Sequence, residues 1–307
     1  MTIASTSTSA FYDRSTLDLT SLRKQAEQIQ AQISSGNRLV ASTDDPLAAS
    51  RLRSLQYSDA MGKIDQSAAS RATSDLNLTD SALTQFGNYI VRAKELATQA
   101  ASATVSDSQR GSIASELAQM QKDLVSLANT RDVDGNALFG GDAPGDAYTV
   151  NGSGVASYAG NGIAGQLSLG DGQSVSRSLT GPEFLNFKDK AGNSTNLLAV
   201  VKGLADSLAT GGPGGQTAAA TSLDLLSTAL DTVTTAQTVV GSRLTWIDLN
   251  TERQTALATT RASEQADIGG TDTAAAMVRL QELSTVLQAS QASFTRLANL
   301  SLFDVLR

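Results

Sequence analysis

The stretch LTSLRKQAEQIQAQISSGN, Leu19–Asn37, sets apolar residues at Leu19, Leu22, Ala26, Ile29 and Ile33. The steps between them alternate three and four, which puts all five on one stripe of a helix at coiled-coil spacing. Ser34, Ser35, Gly36 and Asn37 end that helix, and Gly36 supplies the left-handed residue favoured at a helix C-terminus, since it has no side chain to clash there. A second helix opens at Thr43, Asp44, Asp45 and Pro46. An Asp at the cap accepts hydrogen bonds from free backbone amides, and a Pro in the first turn loses none.

The same spacing recurs along the chain. Leu76, Thr79, Leu83, Phe86, Ile90, Ala93, Ala97 and Ala100 keep it, and after a break at Ser106 to Ser108 it resumes at Ile113, Leu117, Met120, Leu124 and Leu127. Two antiparallel helices joined by a short loop are expected there. Leu223, Leu226, Leu230, Val233, Gln237, Val240, Leu244, Ile247 and Thr251 form a third stripe, expected to run to about Ala266. Asp267 to Gly270 interrupt it, Asp272 caps a restart, and Ala276, Leu280, Leu283, Leu287, Ser290, Phe294 and Leu297 complete the last seam.

Between about Arg131 and Gln216 the heptads vanish, and this stretch holds 18 of the 25 glycines and every proline except Pro46. Tyr148 to Val150, Gln166 to Leu169 and Ser174 to Leu179 read as small strands between Gly-rich turns. A short helix is expected at about Ser194 to Ala209, followed by a boundary or flexible connection at TGGPGGQ, Thr210 to Gln216. The fold class is therefore mainly α with a small β-rich insert: a long antiparallel helical bundle or coiled coil made by both chain ends, around a central Gly-rich β and loop module. Three modules are expected, 1–42 with 268–307, 43–130 with 217–267, and 131–216. An inserted middle brings the ends together, so the first and last helices pair. Isolated helices of this kind are marginal in water, so both need partners.

Composition narrows the function. Of 307 residues, 40% are hydrophobic but only 4% aromatic, which suits slender helices meeting along narrow seams better than a core built on aromatic anchors. A net charge of -7 argues against a nucleic-acid partner, because phosphate recognition needs concentrated positive charge. With no Cys and no His, thiolate chemistry, the commonest general base and the commonest metal ligands are missing. No stretch is apolar enough for membrane insertion, and the opening segment shows no ordinary cleaved signal. No cofactor or metal is expected.

Local motifs suggesting chemistry have simpler readings. Asp132, Asp134, Gly135 and Asn136 resemble a calcium loop, yet the twelfth position from Asp132 is Ala143 where a closing Glu is needed, so a turn is expected. Asp44 and Asp45 read as helix caps, not paired catalytic carboxylates. Gly211, Gly212, Gly214 and Gly215 lack the following Lys of a phosphate loop. Trp246 is expected to pack at a helix–helix contact.

The segment QISSGNRLVASTDDPLAAS, Gln32 to Ser50, resembles the N-terminal signature of the flagellin family of bacterial flagellar proteins. The Thr43, Asp44, Asp45, Pro46 turn is similar to the branch that sits at the hook–filament junction, where filament subunits have Asp-Asp-Ala-Ala-Gly. LANTRDVDGNALFGG (Leu127 to Gly141), VVGSRLTWIDLNTERQ (Val239 to Gln254) and LQASQASFTRLANLSLFDVLR (Leu287 to Arg307) resemble that branch too. The resemblance implies a non-enzymatic, extracellular structural subunit, exported by the flagellar type III pathway without signal cleavage and acting as an adaptor. It implies coupled folding and self-assembly through Leu19, Leu22, Ala26, Ile29, Ile33, Leu280, Leu283, Leu287, Phe294 and Leu297. The implied partners are its own copies, the hook-side junction protein, filament flagellin or cap, and a flagellar export chaperone at the last helix. A short filament flagellin and a soluble helical enzyme with carboxylate chemistry are the competing readings.

Overall fold

The structure is a computed structural model that describes the backbone of residues 3–305 and the side chains of residue 10 and residues 12–296. In chain order the elements are α1 (Ile3–Ser35), α2 (Pro46–Ala101), α3 (Asp107–Ala128), β1 (Tyr148–Val150), β2 (Ala156–Tyr158), β3 (Gln166–Gly170), β4 (Gln173–Ser176), α4 (Gly181–Leu185), β5 (Asn186–Lys188), β6 (Ser194–Asn196), α5 (Leu197–Thr210), α6 (Pro213–Gly269) and α7 (Thr273–Val305). The chain divides into two compact units, one made of Met1–Ala60 with Ala256–Arg307 and the other of Met61–Thr255.

The Met61–Thr255 unit holds the hydrophobic core. On α2 the stripe Leu76, Thr79, Leu83, Phe86, Ile90, Ala93, Ala97 and Ala100 is fully buried, and the Thr79 hydroxyl donates to the Asp75 carbonyl at 2.8 Å. On α6 the heptad splits into two columns: Leu226, Val233, Val240 and Ile247 are buried, while Leu223, Leu230, Gln237, Leu244 and Thr251 flank them half-buried. The α2–α3 turn is fixed by a capping box, in which Ser106 accepts from the Gln109 amide and the Gln109 side chain from Ser106. Buried Arg110 donates to the carbonyls of Ala100 (3.1 Å) and Ser102 (3.0 Å), which the end of α2 would otherwise leave open.

The middle of the chain forms three separate antiparallel hairpins, β1–β2, β3–β4 and β5–β6. They are not a loose appendage. Phe139 and Phe184 enter the same core as Phe86, with ring centroids 4.8 to 6.4 Å apart, so the expectation of a core without aromatic anchors is corrected. Close approach demands glycine: a Cβ at Gly181 would lie 2.5 Å from the Tyr148 ring. The Asp132 turn forms as expected, with Asp132 Oδ1 accepting the amides of Asp134 (2.9 Å) and Asn136 (2.8 Å) and Gly135 at φ 84°. The expected boundary or flexible connection is a tight turn. Gly211 and Gly212 both adopt positive φ, and α6 begins at Pro213, which suits a first helical position. The predicted helix at Ser194 starts three residues later, because Ser194–Asn196 pairs with β5 and Asn196 caps α5 through the Ala199 amide at 2.8 Å.

Candidate assembly interface

In the unit formed by the two chain ends, Asp45 sits at the cap of α2: its Oδ1 accepts the Ala48 amide at 3.0 Å, and Pro46 takes the first helical position. That backbone hydrogen bond, helped by Arg38, holds the Asp45 carboxyl below the usual range. Asp44 acts one step earlier, accepting the amides of Val40 (3.1 Å) and Ala41 (2.9 Å) and closing the turn.

The turn is stitched to the start of the returning chain. Asn37 pairs with Gly270 in an antiparallel bridge; the Arg38 amide donates to Gly269 O at 2.7 Å and the Thr271 amide to Gly36 O at 3.0 Å. The Arg38 guanidinium adds two donors to the Ile268 carbonyl, at 3.1 and 2.9 Å, which answers the orphan carbonyls and the negative end of α6. Asp272 then caps α7 through the amides of Ala274 and Ala275, both at 3.0 Å. Below the clasp, Arg51 pairs with Glu264 through two bonds of 2.6 and 3.0 Å, and Asp59 accepts from Arg261 (2.7 Å) and Gln265 (2.6 Å). The Arg51 bond lowers the Glu264 pKa.

From this clasp α1 and α7 run as an antiparallel pair. Ile29 lines a groove with Ala275 and Ala276, Leu19 and Leu22 line another with Ser290 and Phe294, and Phe294 meets Tyr12 edge-on at 5.5 Å. Leu19, Leu22, Ala26, Ile29, Ile33, Leu280, Leu283, Leu287 and Phe294 all have intermediate exposure, and none is buried. Leu297 lies outside the residues whose side chains are described. Among the described residues of this unit only Ala49 and Leu55 are buried hydrophobics, whereas Leu17, Met277, Val278 and Val286 stay exposed. Two helices alone cannot enclose a seam; a third or fourth is needed to take such positions out of water.

Sequence reasoning missed Tyr12 and Arg38. Tyr12 was findable, because it lies one heptad before Leu19 on the same stripe. Arg38 carried no periodic signal, since its partner is 230 positions away.

Residues 5–143 match the bacterial flagellin N-terminal helical region. The chain is also 26% identical to the flagellar hook-associated protein 3 of Escherichia coli (strain K12), over 97% of its own length and 98% of that protein's. The chain is thus similar to flagellin-related hook-associated proteins. Its fold is that of a flagellar hook-associated protein from Vibrio parahaemolyticus (TM-score 0.67, 21% identity, 74% of this chain and 100% of that one). The flagellar junction protein FlgL from Legionella pneumophila shares it as well (TM-score 0.59, 14% identity, 71% and 99%). Among the described residues, no cluster of three or more acidic side chains could hold a metal ion, and no helix is long and apolar enough to cross a membrane.

Proposed function

We propose that this structural component of the bacterial flagellum joins hook to filament, and that it does so by completing the α1–α7 seam with helices of neighbouring copies. The supporting observation is the contrast between a fully enclosed core in residues 61–255 and a seam in which every described apolar position is left half-open. Burying the rest of each side chain is worth about 25 cal/mol per Å² of apolar area, which offsets the entropy of ordering the ends. The subunit has no catalytic role in this reading. It works outside the cell after export by the flagellar pathway, and it contacts its own copies, the hook-side junction protein, and the filament or its cap. An export chaperone would cover α7 beforehand.

The test is the pair Leu283→Asp and Leu287→Asp. Export of the variant should persist while filaments fail to attach, because two carboxylates per copy would have to be buried in the seam. Normal filaments on the variant would overturn the proposal, and wild-type chain polymerising alone into long filaments would mark it as a filament subunit.

A further inference from the structure

Outside the terminal seam, the Met61–Thr255 unit exposes an apolar ridge and, on a different side, a groove. Gln237 faces α2, donating to Thr84 Oγ1 at 3.1 Å. Trp246 lies about two and a half helical turns further on, so it points away from α2. The expected packing role for Trp246 does not hold: it is 44% exposed, with Val239 (39%) one heptad before it and Leu249 (57%) three residues after. Arg253, one heptad beyond Trp246, lies on the same stripe, held to Asn250 Oδ1 at 2.8 Å and loosely to Asp171 at 3.4 Å. Trp and Arg on one solvent-facing stripe are the residue types that dominate interface energies.

The groove lies between α2 and α3 and measures about 480 Å³. Tyr89 and buried Met120 line it, a pairing of flat ring and adaptable thioether suited to an indole. Its rim carries two carboxylates, Glu116 and Asp123, and one cation, Arg92, which already binds Glu116 (2.8 Å) and, beyond the groove lining, Glu95 (3.0 Å), while Gln119 donates to Asp123 (3.0 Å). The ridge offers an apolar knob and a cation; the groove offers an aromatic floor and excess carboxylate.

We infer that the ridge of one copy docks into the α2–α3 groove of the next, with Trp246 over Tyr89 and Met120 and Arg253 against the acidic rim. Two complementary patches on different faces of one chain make a heterologous contact, and such contacts propagate into rings or helical rows, whereas a self-matching patch closes a dimer. The inference rests on the adaptor reading above and supplies a lateral contact separate from the terminal seam.

The chain has no Cys, so introduced thiols report unambiguously. Both Leu249 and Gln119 are exposed, and Leu249→Cys with Gln119→Cys is a surface change whose helical fold circular dichroism would verify. Flagella sheared from cells carrying the double variant and treated with a short bis-maleimide should show a ladder of covalent multimers, and either single variant should show none. Adding Trp246→Ala should cut the ladder by about tenfold or more. Flagella that contain the double variant but give no ladder would overturn the lateral contact and leave the adaptor reading standing. Self-linking of Leu249→Cys alone would also overturn it, as a ridge-to-ridge contact. A correctly folded double variant, with its parent chain, absent from flagella would overturn the adaptor reading and this inference with it.

Discussion

Arg177 joins side chains from two distant segments, pairing through Nε with Asp75 of α2 at 3.0 Å and through Nη2 with Asp132 of the turn after α3. Asp132 has no side-chain exposure. Burial pushes its carboxyl up, but the amide and side chain of Asn136 and the charge of Arg177 outweigh that and leave it low. Asp75 has fewer donors, so burial wins and raises it despite Arg177. Removing the cation strands two carboxylates, so Arg177→Met should cost about 3 kcal/mol or more, read as a lower urea midpoint. Tyr148 is the opposite case, for its buried hydroxyl has no hydrogen-bond partner among the described residues. Tyr148→Phe should be neutral or raise stability by up to about 1 kcal/mol, and a clear loss would show that the hydroxyl is satisfied after all. The Asp132 turn was legible because Asp-x-Asp-Gly-Asn specifies it locally. Arg177 was not, since nothing within its own segment tells that it will meet Asp75 and Asp132.

At the scale of elements, the helices were legible wherever one face had to be buried. The heptads of α2, α3 and α6 mark their buried faces, and Gly36, Pro46 and Asp272 mark three of the ends. β2, β5 and β6 escaped because each is three residues long without the run of strand-favouring residues that marks Tyr-Thr-Val at β1, and each exists through its partner strand. The start of α6 was misread because Pro-Gly-Gly resembles a turn, while two preceding glycines had already made it. The α2 cap at Asp45 and the α2–α6 pair of Arg51 with Glu264 should respond to acid. Asp45 and Glu264 both have lowered folded pKa values, so each binds protons less readily folded than unfolded. Their contribution is complete above the unfolded values, roughly 3.9 to 4.3, and is lost as pH falls through the lower folded values. Fluorescence from a probe on Met277→Cys should report loosening of the end unit in that acidic window, with little change between pH 6 and 8. Loosening on raising the pH from 6 to 8 would contradict the sign.

The whole molecule pairs a unit that completes its own core with one that does not. Sequence alone identified both end stripes and the resemblance they belong to, but exposure decides what the stripes are for, and exposure is a property of the fold. A seam of half-buried Leu, Ile and Phe on two helices opens at low cost, whereas Phe86, Phe139 and Phe184 become exposed only when the unit around them unfolds. Hydrogen exchange on the free chain and on the chain within isolated flagella measures this directly. Amides of α1 and α7 should exchange far faster than those of α2 between Leu76 and Ala100 in the free chain, and should become protected in flagella. Equal protection of α1, α7 and the core of α2 in the free chain would contradict the account.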